Sequence, residues 1–196
     1  MNKYILMIAF GVLAFMTTAF SKDISEPITK NIDYTNTKKA HFAGGCFWGV
    51  EHLFEKQKGV KDVVSGFMGG HVPNPSYKAV IKGDTGHVET VEVVYNPSEI
   101  SYESLAKLFF EIHDSTQKNG QGPDIGSQYL SVVFYENDEE KRTTQKLIEI
   151  LKTKGYNVAT TLKPSSPFYA AETFHQDYYV RTGKTPYCHV YKKIFD

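Results

Sequence analysis

One short segment, GGCFWGVE at residues 44–51, combines residue types that suit thiol chemistry. It places Cys46, one of two cysteines, next to Phe47 and the only tryptophan, Trp48, with glycines on both sides. A short strand pattern precedes the cysteine and a helix pattern follows it, so free backbone N–H groups and the helix dipole would favour the thiolate. Phe47 and Trp48 would form an apolar wall for a small apolar group of the molecule under attack. The alternative is a buried structural half-cystine in a chain with an even number of cysteines.

Four segments stand out in order along the chain: GGCFWGVE, GGHVPNPSYKAVIKGDTGHVETVEVVYNP, GPDIGSQYLS and FHQDYY. In order and spacing they resemble the signature segments of the peptide methionine sulfoxide reductase A family, from about Ala40 to near the C-terminus. The resemblance implies an α+β fold, a two-layer α/β sandwich with a mixed, ferredoxin-like sheet. It also implies a peptide-methionine (S)-S-oxide reductase, which reduces the S-epimer of methionine sulfoxide, free or protein-bound, to methionine.

The reaction of such a family requires three kinds of group around the sulfoxide. A thiolate attacks the sulfur, an apolar pocket holds the methyl group, and an acid protonates the departing oxygen. By resemblance, Cys46 is the nucleophile, and Phe47 and Trp48 form the methyl pocket. Tyr77 and Tyr129 are similar to the family's two phenols, which hydrogen-bond the sulfoxide oxygen.

Glu89 is the candidate acid. It lies early in the segment GHVETVEVVY, on the same side as Val91 and Val93 at the strand period of two, so apolar surroundings would raise its pKa and keep it protonated. An arbitrary glutamate is more often a surface carboxylate on an edge strand, but the resemblance of TGHVET to the family's motif favours the catalytic interpretation. Asp124 in GPDIG resembles the second acidic residue of the family's site.

The second cysteine, Cys188, suggests how the first is regenerated. Attack leaves Cys46 as a sulfenic acid, which another thiol can capture as a disulfide. Cys188 lies in GKTPYCHVYKK, within a tail from about residue 180 that we expect to be mobile, and it resembles the family's C-terminal resolving cysteine. A thioredoxin-like donor would reduce the disulfide. The alternative, a permanent disulfide between the two cysteines, would remove the nucleophile.

Composition argues against several other classes of protein. Lys plus Arg and Asp plus Glu both number 22, so the formal net charge is zero, and a nucleic-acid or polybasic membrane partner is not expected. No histidine and cysteine have the spacing of zinc ligands, so we predict no metal. The predicted partners are oxidised proteins or free methionine sulfoxide and a thioredoxin-like reductant, with no bound cofactor.

The elements that must position these groups alternate between strand and helix patterns, which is typical of an α/β or α+β layer. The length of 196 residues favours one domain, predicted over residues 40–196. Strands are predicted at AHFAGG, GVKDVVSGFMGG, GHVETVEVVYNP, YLSVVFYE and YNVATTLKP, and helices at FWGVEHLFEK, SYESLAKLFFEIH, NDEEKRTTQKLIEILKTKG and around residues 172–180. Ser101 and Asn137 are predicted N-caps, Glu140 has the spacing of a capping box, and Gly155 is a helix stop. The loop at residues 114–128 exceeds ordinary connection lengths, which indicates a functional role.

The N-terminus has the layout of a secretory signal peptide over residues 1–21. Lys3 precedes an apolar stretch, and small residues, Ala19 and Ser21, precede the expected cut. Residues 22–39 are predicted to form a polar leader, and the protein is predicted to be exported, in the periplasm. The alternative is a membrane anchor formed by residues 4–20.

Two other functions remain as alternatives to the reductase. An exported thiol peroxidase would use the same two cysteines, but it gives no purpose to the apolar wall or to the acid. A binding module held by one disulfide would have no enzymatic activity.

Overall fold

The structure is a computed structural model that describes residues 30–196. The predicted signal peptide at residues 1–21, the alternative anchor at residues 4–20 and the first part of the leader lie outside the described residues. Within residues 30–196, no helix combines the length and apolar composition needed to cross a membrane.

Strands and helices alternate along most of the described chain. The strands are β1 Lys38–Gly44, β2 Val60–Met68, β3 Val88–Tyr95, β4 Gly120–Gln121, β5 Asp124–Ile125, β6 Ser131–Tyr135, β7 Thr161–Pro164 and β8 Tyr169–Ala170. The α-helices are α1 Phe47–Phe54, α2 Tyr77–Val80, α3 Tyr102–Ile112, α4 Asp138–Thr153 and α5 Tyr178–Thr182, with 3-10 turns at Ser127–Tyr129 and Thr173–His175.

Six strands form one mixed sheet in the order β7-β6-β1-β3-β2-β8, in which only the β6–β7 pair is parallel. One face packs against the helices through a core that includes Phe42 of β1, Phe54 of α1, Phe109 of α3 and Leu147 of α4. Ala43, the next residue along β1 after Phe42, belongs to a smaller cluster, as the alternation of side chains along a strand requires. The central strand β3 therefore carries Glu89 into a packed interior, and β1 leads to Cys46 at the start of α1.

The helix ends follow the predicted capping residues, with one change. The side chains of Ser101 and Asn137 accept hydrogen bonds from the N–H groups three residues on, at Ser104 and Glu140. The Glu140 carboxylate accepts the N–H of Glu136 at 2.8 Å, where a capping box would use the N–H of Asn137.

Three predicted segments differ from the structure. The loop at residues 114–128 contains the hairpin of β4 and β5, and the strand predicted over YNVATTLKP begins only at Thr161. The helical piece predicted around residues 172–180 is divided at Asp177, whose φ of 52° is left-handed. The Asp177 N–H donates to Glu51 Oε1 at 3.1 Å, a long-range bond that helps to hold this strained conformation.

The two ends of the described chain are attached to the sheet and helices. Lys30 pairs with three carboxylates at 2.6, 3.3 and 2.7 Å, which belong to Glu55, Asp62 and Asp177. At the other end, the Glu111 side chain accepts the N–H of Phe195 at 2.9 Å, and Phe195 is buried. The predicted mobility of the tail from about residue 180 thus concerns a segment whose end is anchored, and it stays a prediction.

Candidate active site

Cys46 follows the end of β1 and is the N-cap of α1, as predicted, and its side chain is buried. The backbone N–H of Trp48 near the sulfur lowers the pKa of the thiol, which is the predicted effect of the helix N-terminus, although the Cys46 side chain makes no capping hydrogen bond. The net pKa is nevertheless raised, because the hydrogen bond with Cys188 is the largest influence and burial is the next. The prediction that this position favours the thiolate is therefore wrong for the state seen here, in which Cys188 lies against Cys46.

Glycines beside Cys46 make room for other parts of the chain. Gly45 has a φ of +96°, and a Cβ built there would lie 2.4 Å from the Cβ of Gln121 in β4. A Cβ at Gly49, on the other side of the thiol, would lie 2.2 Å from Nδ1 of His189. Both positions exclude a side chain, because the hairpin covers one and the C-terminal tail covers the other.

Glu89 lies on β3 between β1 and β2, so the alternative of an edge-strand carboxylate is wrong. Its side chain is only 2% exposed, and Oε2 accepts the N–H of Phe47 at 3.0 Å. Burial is the main reason that the pKa of Glu89 is raised well above its ordinary value, and the nearby Cys46 thiol adds to the effect. The predicted environment of this carboxyl is the one observed, and its burial favours the protonated form.

The two predicted phenols, Tyr77 and Tyr129, lie together beside Glu89. Tyr77 begins α2, where the Glu172 carboxylate accepts its N–H at 3.1 Å, and its phenol is close enough to that of Tyr129 for the second phenol to lower its pKa slightly. Burial, followed by the charge of Glu89, raises the pKa of both phenols. Both groups therefore stay protonated at neutral pH and can donate to an oxygen.

The predicted apolar wall is present and has two further members. Phe47 is almost fully buried, while Trp48 is partly exposed and stacks on Tyr178 at 3.8 Å between ring centroids. The Trp48 indole N–H donates to Nδ1 of His175 at 3.1 Å, and the His175 ring lies 4.3 Å from the ring of Tyr77. Burial lowers the pKa of His175 to about 4, so the imidazole is neutral. The signature segment FHQDYY contains His175 and Tyr178, but sequence reasoning assigned neither of them a role.

The tail brings Cys188 to Cys46, and the loop of β4 and β5 brings Asp124. The two sulfur atoms and a carboxylate oxygen of Asp124 all lie within 4.8 Å of one another, and both cysteines are free thiols. The Asp124 carboxylate accepts the phenol O–H of Tyr187 at 3.2 Å. Three such donors can hold a metal ion. Sequence spacing did not reveal this cluster, because folding brings its members together from distant segments. The absence of a metal stays a prediction.

Cys188 also lines a groove of about 490 Å³ that Cys46 does not line. Its other walls include Asp114, Gln121 and Tyr187. Cys188 therefore borders a groove that is separate from the site beside Glu89.

A buried thiol at a helix N-terminus, with a second thiol, a buried carboxyl and two phenols around it, defines a two-cysteine thiol oxidoreductase. The family model described as peptide methionine sulfoxide reductase matches residues 38–195. The chain belongs to this family, which confirms the family, the α+β fold and the class of activity predicted from the sequence.

Known proteins similar to this chain agree with that assignment. The peptide methionine sulfoxide reductase MsrA of Nautilia profundicola is 49% identical over 150 residues, which cover 76% of this chain and 87% of that protein. The crystal structure of reduced Mxr1 from Saccharomyces cerevisiae has a TM-score of 0.77 and 36% identity, covering 85% of this chain and 99% of Mxr1. Mxr1 in complex with Trx2 has a TM-score of 0.57 and 26% identity, covering 84% and 96%. These comparisons do not test the roles of individual residues, which stay predictions.

Proposed function

We propose that the chain reduces the S-epimer of methionine sulfoxide, free or within oxidised proteins, to methionine, and so repairs oxidised proteins. The observation that carries the proposal is the buried Glu89 carboxyl, whose pKa is raised by its burial and by the nearby Cys46. A peroxidase has no need of a protonated carboxyl beside an apolar wall. The MsrA name of the relatives supports the same substrate class.

In the first step, Cys46 attacks the sulfoxide sulfur while Phe47 and Trp48 enclose the methyl group. Glu89, with Tyr77 and Tyr129, supplies the proton to the oxygen. The S–O bond of the substrate breaks, and its oxygen passes to Cys46 as a sulfenic acid. The sulfoxide sulfur is reduced by two electrons, and the cysteine sulfur is oxidised by two.

In the second step, Cys188 captures the sulfenic acid of Cys46, so that a disulfide forms and water leaves. The free thiols of the two residues lie within the reach of one side-chain movement, since both belong to the cluster with Asp124. A thioredoxin-like dithiol then attacks Cys188 from its groove, and the complex of Mxr1 with Trx2 supports a donor of this kind.

The direct test is turnover of each epimer of a methionine sulfoxide peptide, with dithiothreitol as reductant. We expect only the S-epimer to be consumed, and Cys46→Ser to abolish the activity while the fold is retained, since a hydroxyl is too weak a nucleophile. Consumption of hydroperoxides in preference to sulfoxides would favour the peroxidase. Activity above a few per cent in folded Cys46→Ser would contradict the assignment of the nucleophile.

The resolving role of Cys188 has a separate test. Cys188→Ser should form one equivalent of methionine per protein and stop at a sulfenic acid that a dimedone probe traps. Turnover should be lost with a thioredoxin-like donor and partly kept with a small thiol that reaches Cys46. If both thiols of the wild type stay free after one equivalent of substrate, Cys188 has no part in the mechanism.

We further propose that the protein is exported, because residues 1–21 have the layout of a cleaved signal peptide. Cytoplasmic thioredoxin cannot then reduce the disulfide directly, so an exported or membrane-relayed dithiol donor is required. The mature N-terminus is expected near Lys22 by protein sequencing. A retained N-terminus would favour the anchor at residues 4–20.

A further inference from the structure

His189, next to the second cysteine, makes two hydrogen bonds that determine its tautomer. Its side chain is buried, and Nε2 lies 2.7 Å from the carbonyl oxygen of Gly44. A carbonyl oxygen can only accept a hydrogen bond, so Nε2 carries the proton. The lone pair on Nδ1 then points to the sulfur of Cys188 at 3.0 Å, and the thiol of Cys188 is the donor in that bond.

We propose that His189 is the general base that activates Cys188 for disulfide formation, a role that rests on the proposed function of the two cysteines. Nδ1 takes the proton of the Cys188 thiol as the sulfur attacks the sulfenic sulfur of Cys46. The S–S bond forms, the S–O bond of Cys46 breaks, and the proton goes to the departing hydroxide to give water. Cys188 is oxidised and Cys46 is reduced, so no other reactant is needed.

The surroundings keep the ring neutral and in place. Burial lowers the pKa of His189, and the bond to the Gly44 carbonyl and the charge of Asp124 offset this only in part. The titratable groups around the ring are Cys46 and Cys188, Asp124, and the buried His113, whose pKa is lowered to about 4. The absence of a side chain at Gly49, where a Cβ would lie 2.2 Å from Nδ1, leaves space for the imidazole against α1.

A purely structural role for His189 predicts different behaviour from a base. His189→Gln separates the two, because the amide NH₂ of Gln can keep the bond to Gly44 while no basic nitrogen faces Cys188. His71→Gln is the matched control, since His71 is an exposed histidine outside the site.

The experiment follows full-length protein by rapid quench after one equivalent of sulfoxide peptide, with methionine, free thiols and dimedone adduct measured separately. We expect His189→Gln to form the disulfide at least tenfold more slowly at pH 7, and the loss can reach the roughly 10²–10⁴-fold that general base catalysis contributes. The sulfenic acid of Cys46 should then last long enough to be trapped as the dimedone adduct. Its disulfide rate should rise about tenfold per pH unit below the pKa of a thiol, because attack then requires free thiolate. The wild type and His71→Gln should show little pH dependence between pH 6 and 8.

A second variant removes the dependence on the Gln side chain. His189→Ala leaves a space at the ring, and added imidazole should restore rapid disulfide formation. Disulfide formation in His189→Gln at the wild-type rate, or slowed formation with the wild-type pH profile and no imidazole rescue, would overturn the assignment. Failure of the wild type to form methionine or a disulfide would instead contradict the proposed function, so the two failures are distinguishable.

Discussion

Replacement of Glu89 by Gln tests the proposed proton donor while disturbing the structure little. Oε2 of Glu89 accepts the N–H of Phe47 at 3.0 Å, and the amide oxygen of Gln can accept the same bond. Burial, with the Cys46 thiol nearby, raises the pKa of the carboxyl well above its ordinary value. The raised pKa favours the protonated carboxyl, which can transfer a proton, whereas an amide cannot act as an acid.

The expected loss in the rate of methionine formation follows from the size of general acid catalysis, which contributes roughly 10²–10⁴-fold. Because each tenfold change corresponds to about 1.36 kcal/mol, this is about 2.7–5.4 kcal/mol of activation free energy. Tyr77 and Tyr129 can donate to the same oxygen and so replace Glu89 in part. The replacement is incomplete, because burial raises the pKa of both phenols and makes them weaker acids. We therefore expect methionine formation to slow by roughly 10²-fold, the lower end of that range.

The assay is single-turnover methionine formation by rapid quench, at pH values from 5 to 9. The wild-type rate should fall as the pH rises through the raised pKa of Glu89, because only the protonated carboxyl donates, and Glu89→Gln should lack this fall. Glu92→Gln is the matched control, because Glu92 is on the other face of β3, paired with Lys39 and His41. A loss below tenfold in Glu89→Gln, with the fall in rate retained, would refute Glu89 as the acid.

Glu89→Gln should also change how the stability of the fold depends on pH. The pKa of Glu89 in the folded state is raised above its unfolded value of 4.5, so the folded chain binds the proton more tightly. Its contribution to stability is present at low pH and is lost as the pH rises from about 4.5 through the raised pKa. Glu89→Gln does not titrate, so its melting temperature relative to the wild type should increase over this pH window. A relative melting temperature that decreases with pH would contradict the raised pKa.

Three further substitutions test other contacts of the site and its support. Cys188→Ala removes the largest influence that raises the pKa of Cys46, so alkylation of Cys46 by iodoacetamide should reach half its maximal rate at a lower pH. An unchanged pH of half-maximal alkylation would show that burial alone raises the pKa of Cys46. Trp48→Phe loses the hydrogen bond to His175, worth about 1 kcal/mol. We expect KM for the sulfoxide to rise roughly fivefold with a smaller change in kcat, whereas a change in kcat alone would place Trp48 outside substrate binding. Lys30→Ala leaves its three partner carboxylates facing one another and should lower the free energy of unfolding by about 1–3 kcal/mol at pH 7. This deficit should shrink in melts at high ionic strength, because salt screens charge interactions, and a deficit independent of salt would contradict the ion-pair explanation.

Local patterns were sufficient to predict the elements that carry the first half of the site. The change from strand to helix at Cys46 and the period of two along β3 placed Cys46 and Glu89 correctly, because both depend on the nearest residues along the chain. The caps at Ser101 and Asn137 were predicted for the same reason. Alternation of strands and helices also predicted the mixed sheet.

Contacts between distant segments were not predictable from these patterns. Asp177 adopts a left-handed conformation beside Glu51, and the loop after α3 forms a hairpin over Gly45. The direction of the pKa shift of Cys46 depends on Cys188, which lies at the other end of the domain. A pattern of periodicity contains no information on which distant groups meet.

The glycines around Cys46 show both kinds of requirement, the local one and the one set by contacts between distant segments. Gly45 permits the turn from β1 into α1, a local requirement that its φ of +96° makes visible. Gly49 has no such local reason, because a glycine within a helix is destabilising relative to alanine. Its reason lies in the tail: the His189 ring occupies the volume that a Cβ would fill, and it holds Cys188 toward Cys46 from there. One segment of eight residues, GGCFWGVE, thus provides the proposed nucleophile, Cys46, and the space into which the proposed resolving cysteine, Cys188, is brought.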